Sequence, residues 1–136
     1  MRLTVNECPV EVPPGATVLR IVLGVVYIMH AYLAAFVFGP QGMVAYQTAK
    51  AIPFPEVATW YLIVAHGLGG ICLLLGVLVR WAALANIPVM AAAVFFVHLK
   101  QGFFMGKEGG YEYALVVLGA TIAQVLLGAG AFTFRK

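Results

Sequence analysis

Residues 57–103 read VATWYLIVAHGLGGICLLLGVLVRWAALANIPVMAAAVFFVHLKQGF, and this run is the clearest indication of how the chain folds. Arg80 divides it into two apolar segments, residues 57–79 and 81–103. A bilayer core about 30 Å thick needs about 20 mostly apolar helical residues. Each segment is therefore long enough to cross a membrane once, whereas the whole run is far too long for one crossing. The sequence predicts a tight helical hairpin near Arg80.

Two further apolar segments flank the hairpin, residues 17–38 before it and residues 111–134 after it. Residues 39–55 mix apolar and polar side chains between glycines and prolines, so they are predicted to form an outer loop that lies along the membrane surface. The whole chain, residues 1–136, is thus predicted to be one all-α domain, an integral membrane four-helix bundle.

The composition supports a membrane protein, since 63% of the residues are hydrophobic and 10% are charged. Soluble domains contain about 25% charged residues. The net charge of +3 is spread along the chain without a basic run, which argues against nucleic-acid binding and leaves membrane lipids as the expected surroundings. The two cysteines, Cys8 and Cys72, are not expected to pair. No phosphate-binding loop, GxSxG or HExxH motif is present, so no self-contained active site is predicted.

Lysine and arginine positions predict the orientation. Four spans place both termini and the hairpin turn on one side of the membrane, and this side holds more cations than the other. We therefore predict that both termini face the cytoplasm. The protein itself is predicted to lie in a bacterial or archaeal cytoplasmic membrane. The cations of the inner side are Arg2, Arg20, Arg80, Arg135 and Lys136, and those of the outer side are Lys50, Lys100 and Lys107.

Ionisable side chains inside a membrane are costly and so indicate possible functional sites. The chain has three histidines, His30, His66 and His98, each in a different predicted helix. At about 1.5 Å of rise per residue, His30 and His66 lie roughly 12–14 Å below the outer edge and His98 roughly 8 Å below it. Glu112 lies near the outer start of the last helix. All four candidates are predicted in the outer half of the bundle.

Four interpretations of these residues remain open. They can line a site for a quinone or lipid head group; for a quinone, histidine or tyrosine is the hydrogen-bond donor and Glu112 the proton relay. His30 and His66 can ligate a b-type haem, or histidine and carboxylate can hold a metal. Alternatively, the histidines form hydrogen bonds between helices and have no ligand. No residue is assigned a catalytic role.

Other residues are predicted to be structural. The small residues of two helices, among them Gly69, Gly70 and Gly119, are expected to let helix backbones approach closely. Arg20 and Arg80 are expected to extend toward lipid phosphates. Asn86 is expected to bond across the hairpin.

The run GGICLLLGVLVRWAAL at residues 69–84 resembles the second and third helices of the DoxX family of small four-helix membrane proteins. Further similarities are His98 with Gly102, the run GYEY at residues 110–113, and the late Gly128 and Gly130. The resemblance extends over about residues 20–134. Many members carry glutamate at the position of His66.

The resemblance implies a membrane subunit of a redox or respiratory complex linked to quinone. The family takes its name from a subunit associated with a quinol oxidase, and relatives are similar to the membrane subunit of thiosulfate:quinone oxidoreductase. The chain is then at most the membrane subunit of a quinone-linked oxidoreductase, and electrons come from a partner subunit. The alternative is a non-catalytic scaffold or anchor that stabilises a larger membrane complex.

Overall fold

The computed structural model describes residues 14–134, and the predicted all-α class is confirmed over this range. Cys8, Arg2, Arg135 and Lys136 lie outside the described residues. Five α-helices follow one another, two of them extended by π-helical turns. They are α1 (Pro14–Tyr32, then a π-turn Leu33–Val37), α2 (Gly39–Ala49), α3 (Pro55–Leu75), α4 (Val79–Ala92, then a π-turn Ala93–His98 and a 3-10 turn Leu99–Gln101) and α5 (Glu112–Leu127).

Among residues 14–134, three helical stretches are long and apolar enough to cross a membrane, namely Pro14–Val37, Pro55–Leu75 and Val79–Gln101. The fourth predicted helix is also apolar, but α5 ends at Leu127 rather than at residue 134. Gly128 and Gly130 both have positive φ angles, of 78° and 70°, which a continuing α-helix does not allow. The chain after Leu127 is therefore irregular although its composition is apolar.

Residues 39–55, predicted as a loop along the surface, contain the helix α2. Gly39 turns the chain with a φ of 72°, and Pro40 then lies in the first turn of the helix. Proline is favourable there because its missing N–H would have no intrahelical partner in any case. The same glycine and proline that suggested a loop thus begin a helix.

The predicted hairpin is confirmed, but its turn lies at residues 76–78 and Arg80 belongs to the first turn of α4. Gly76 has a φ of 71° and its N–H bonds to the carbonyl of Leu73. The N–H of Val77 bonds to the carbonyl of Cys72 at 2.9 Å. These two bonds form a Schellman motif, which ends α3 and reverses the chain within three residues.

Close packing of α1 against α3 depends on glycine. A Cβ added at Gly70 would lie 2.8 Å from Cγ1 of Ile28 and 3.0 Å from the carbonyl oxygen of Gly24. The packing role predicted for the glycines of this helix is therefore confirmed at Gly70. Gly119 on α5 differs, since a Cβ there would have no neighbour within 4 Å in the part of the chain that the structure describes.

These two glycines give a matched pair of mutants. Gly70→Val is expected to lower the free energy of unfolding by about 2 kcal/mol, because overpacking forces α1 away from α3. Gly119→Val is expected to have little effect, because its side chain enters open space. Unfolding in mixed micelles by SDS titration measures both. An equal loss in the two variants would contradict the assigned packing.

The end of the molecule near the α3–α4 turn is organised by Arg20, whose side chain is 2% exposed. One guanidinium nitrogen donates to the carbonyls of Leu73 and Leu74 at 2.9 and 3.0 Å. The other donates to the carbonyls of Ala131 and Phe132 at 3.2 and 2.5 Å. The prediction that Arg20 extends toward lipid was wrong. The guanidinium gives the carbonyl of Leu74 a donor at the end of α3 and adds a second donor to the carbonyl of Leu73, which also accepts from Gly76.

Candidate functional site

A cavity of about 490 Å³ lies between the helices, away from Arg20. Its volume is within the range of about 300–1,000 Å³ that is typical of small-molecule sites. Most of its wall is apolar and includes Met43, Leu62, Val89 and Val117. Its polar wall residues include Tyr27 and His30 from α1, Gln47 from α2, His66 from α3, His98 from the π-turn after α4, and Tyr113 from α5.

His66 is held in place by Asn86, which faces it from α4. The two side chains are 3% and 0% exposed, and Nδ1 of His66 lies 2.6 Å from Oδ1 of Asn86. The amide nitrogen of Asn86 donates to the carbonyls of Ala65 and Ala82 at 3.0 and 2.8 Å. Because these bonds fix the amide orientation, Nδ1 of His66 must be the donor to Oδ1. The predicted bond of Asn86 across the hairpin is confirmed.

Gly69 makes room for this asparagine. A Cβ added at Gly69 would lie 2.6 Å from the amide nitrogen of Asn86. The glycine predicted to serve helix packing therefore also permits the contact that orients His66.

Tyr27 also packs against His66, with ring centroids 4.6 Å apart. The Tyr27 hydroxyl is hydrogen-bonded to the Thr121 hydroxyl, and Thr121 donates its own proton to the carbonyl of Val117 at 2.7 Å. Tyr27 must therefore be the donor in the bond to Thr121. Both side chains are fully buried, so this bond joins α1 to α5 in the interior.

The other two histidines are less buried. His30 is exposed, and its ring centroid lies 6.2 Å from that of His66. Its Nδ1 donates to the carbonyl of Val26 in its own helix, at 2.8 Å. His98 is half-buried in the π-turn, with Nδ1 2.7 Å from Oε1 of Gln101. Single π-turns are frequent at functional sites because they change the direction in which side chains project.

Gln47 was not among the predicted site residues. It is 4% exposed, and its Oε1 has no hydrogen-bond partner among the described residues. Sequence reasoning missed it because residues 39–55 were predicted as a loop, where a glutamine carries no signal. Tyr46, its neighbour on α2, also lines the cavity, and partial burial raises the pKa of its hydroxyl, which stays protonated at neutral pH.

Glu112 is not brought to the cavity with the three histidines. Its carboxylate accepts a hydrogen bond from the backbone N–H of Met105 at 2.6 Å and lies at the N-terminal end of α5. A carboxylate is favourable at that end of a helix. This hydrogen bond joins the segment between α4 and α5 to the first turn of α5.

The haem and metal interpretations find little geometric support. A haem ligated by His30 and His66 would need a porphyrin between α1 and α3, but a Cβ at Gly67 would already be 3.6 Å from the Cβ of Ala31. Within residues 14–134, no three histidine, cysteine, aspartate or glutamate side chains are close enough to hold a metal ion.

Three long apolar helices around a largely apolar cavity identify an integral membrane protein. The family profile of DoxX matches residues 15–99, which is more than half of the chain, and the chain therefore belongs to the DoxX family. The predicted resemblance is confirmed over this range, which includes His30, His66 and His98. No curated protein and no solved structure matches the chain significantly.

Proposed function

We propose that the chain is the membrane subunit of a quinone-linked redox complex and that the cavity binds a ring-shaped head group. The observation that supports this most is the convergence of His30, His66 and His98, from three different helices, on one cavity. An apolar wall with a few placed polar groups is typical of small-molecule sites. We also propose that a partner subunit supplies the electrons.

We also propose that α5 is a fourth membrane span and that both chain ends face the cytoplasm. With 16 residues, α5 is about 24 Å long at about 1.5 Å per residue, which a locally thinned bilayer can accommodate. The hydroxyl of Thr17 donates to the carbonyl of Ala131, and the N–H of Phe134 donates to the carbonyl of Leu75. These contacts support a common side for residues near the two ends of the chain.

Photolabelling with an azidoquinone tests the quinone proposal. The chain is labelled in nanodiscs, digested and mapped, and unlabelled quinone is added as competitor. We expect competable label in peptides that contain Gln47, His66 or His98. The variant His66→Ala is expected to lose most of this label while it still assembles with co-purifying subunits. Label that unlabelled quinone does not reduce would contradict the proposal.

A scaffold or anchor subunit is the second candidate, and the surface of α5 favours it. Gly119 lies there among exposed apolar residues, including Val116 and Ile122, with open space around its Cα. Small residues on an exposed apolar face allow a partner helix to approach closely. Under this candidate no quinone binds. Alanine at His66 then either changes assembly or has no effect.

A further inference from the structure

A separate groove lies at the end of the molecule near the α3–α4 turn, between this turn and the chain that follows α5. Its volume is about 870 Å³, and most of its wall is apolar, including Val77 and Leu127. The polar side chains of the wall are those of Arg80, Trp81 and Thr133, and no acidic side chain of the described residues lines it. The groove therefore combines one guanidinium with an apolar surface.

The guanidinium of Arg80 is little used by the protein itself. Its Nη2 donates to the carbonyl of Leu126 at 3.5 Å, which is longer than the usual N–H···O distance. This is the one hydrogen bond of the side chain within residues 14–134. Arg20, by contrast, donates four bonds to backbone carbonyls. Because an arginine side chain carries several N–H donors, Arg80 has donors left for a ligand.

The carboxylates of the described residues do not neutralise Arg80. Glu56 lies in the first turn of α3, Glu112 in the first turn of α5, and Glu108 between α4 and α5. Arg80 lies beyond the opposite end of α3, which has 21 residues and is roughly 30 Å long at about 1.5 Å per residue. Exposed charges that far apart are largely screened by salt. The positive charge of the groove therefore has no carboxylate partner among residues 14–134.

Gly128 lets the guanidinium lie against the backbone at the groove wall. A Cβ added at Gly128 would lie 3.1 Å from Nε and 3.3 Å from Nη2 of Arg80, which is closer than an ordinary contact. The φ of 78° at this residue also favours glycine. Arg80 is thus placed beside the chain that follows α5 instead of extending freely from the surface. This placement reduces the side-chain freedom that is lost when an anion binds.

We infer that the groove holds one anionic phospholipid, with its phosphate on the guanidinium of Arg80 and an acyl chain along the apolar wall. A guanidinium can bind phosphate through two parallel N–H···O bonds. Basic pockets between membrane helices bind such head groups. A lipid is favoured over a free phosphate because the wall is apolar and because Trp81 is exposed there, as is typical of the membrane interface. The inference does not depend on the cavity around His66 or on a quinone.

Native mass spectrometry of the chain with a defined lipid mixture tests the inference. The chain is purified in mild detergent and given equal amounts of phosphatidylglycerol and phosphatidylcholine that have the same acyl chains. We expect one phosphatidylglycerol to be retained preferentially. Arg80→Gln is expected to lower this preference about fivefold, the contribution of one cation near a head group. Arg80→Lys is expected to keep part of it, because an ammonium group cannot form the two parallel bonds.

Lys100→Gln is the matched control, because it removes one exposed positive charge at the opposite end of α4 and should leave the preference unchanged. Phosphatidylglycerol with a diazirine near its head group should label peptides that contain residues 77–81 or 127–133. Excess inorganic phosphate should not displace the lipid. The inference is overturned if Arg80→Gln and Lys100→Gln have equal effects, or if the label maps only to other peptides. Displacement by inorganic phosphate would overturn the lipid as occupant and assign the groove to a soluble phosphate.

Discussion

Replacing Arg20 with methionine is expected to lower the free energy of unfolding by about 2–4 kcal/mol, because buried backbone carbonyls lose a charged hydrogen-bond donor. Methionine fills similar space but leaves the carbonyls of Leu74 and Phe132 without a donor among the described residues. The carbonyls of Leu73 and Ala131 each lose one of two donors. Those carbonyls belong to the end of α3 and to the chain after α5. Each buried acceptor left unsatisfied costs about 1–3 kcal/mol, reduced where lipid head groups or water can reach it.

SDS titration of the purified chain in mixed micelles measures this loss, with Arg80→Met as the matched control. Arg80 is exposed, and its guanidinium makes one long hydrogen bond to the described residues, 3.5 Å to the carbonyl of Leu126, so its replacement should change stability little. Arg20→Lys should lie between the two, because one ammonium group cannot reach both pairs of carbonyls. If both methionine variants unfold at the same SDS fraction, Arg20 does not stabilise this end of the molecule.

The role of Arg20 illustrates what the sequence alone does not reveal. An arginine near the start of an apolar helix is most simply explained by lipid phosphates. The four carbonyls that bond to Arg20 belong to residues that follow it in the chain by 53, 54, 111 and 112 positions. Backbone carbonyls are present at every residue, so their use as partners leaves no pattern in the sequence. Only the tertiary packing brings them together.

The helices themselves were largely predictable, because apolar runs of spanning length require a helix in lipid. Two predictions were wrong, the loop where α2 forms and the position at which α5 ends, and both involve glycine. Gly39 begins a helix, whereas Gly128 ends one, and each has a positive φ. A positive φ at glycine marks a change of direction, but it does not indicate whether a helix precedes or follows.

The candidate site was predictable only in part, because helix geometry gives the depth of a residue but not the direction of its side chain. Helical rise gives the depth of each histidine, and three residues at similar depth do line one cavity. Depth does not give the direction in which a side chain points. It therefore could not show that Glu112 faces the α4–α5 connection, or that Asn86 orients His66. A polar residue such as Asn86 inside a span was itself a signal, since such groups are rare there.

The second large effect on stability is expected from breaking the contact between His66 and Asn86. His66→Leu and Asn86→Leu are each expected to lower the free energy of unfolding by about 2–4 kcal/mol. Each leaves a buried polar partner unsatisfied, and Asn86→Leu also removes two bonds to α3 and α4 carbonyls. The loss of unfolding free energy in the double variant should be smaller than the sum of the two single losses by about 1–2 kcal/mol. In the double variant no buried polar group is left without its hydrogen-bond partner at this contact.

A double-mutant cycle by SDS titration measures this coupling, and His30→Leu is the control. His30 is exposed and bonds within its own helix, so its replacement should be additive with Asn86→Leu. Strictly additive losses at His66 and Asn86 would mean that their 2.6 Å contact does not hold the imidazole. Coupling of the expected sign would instead show that α4 fixes the ring through Nδ1. The imidazole of His66 is then already oriented before a ligand arrives, which limits the reorganisation that binding requires.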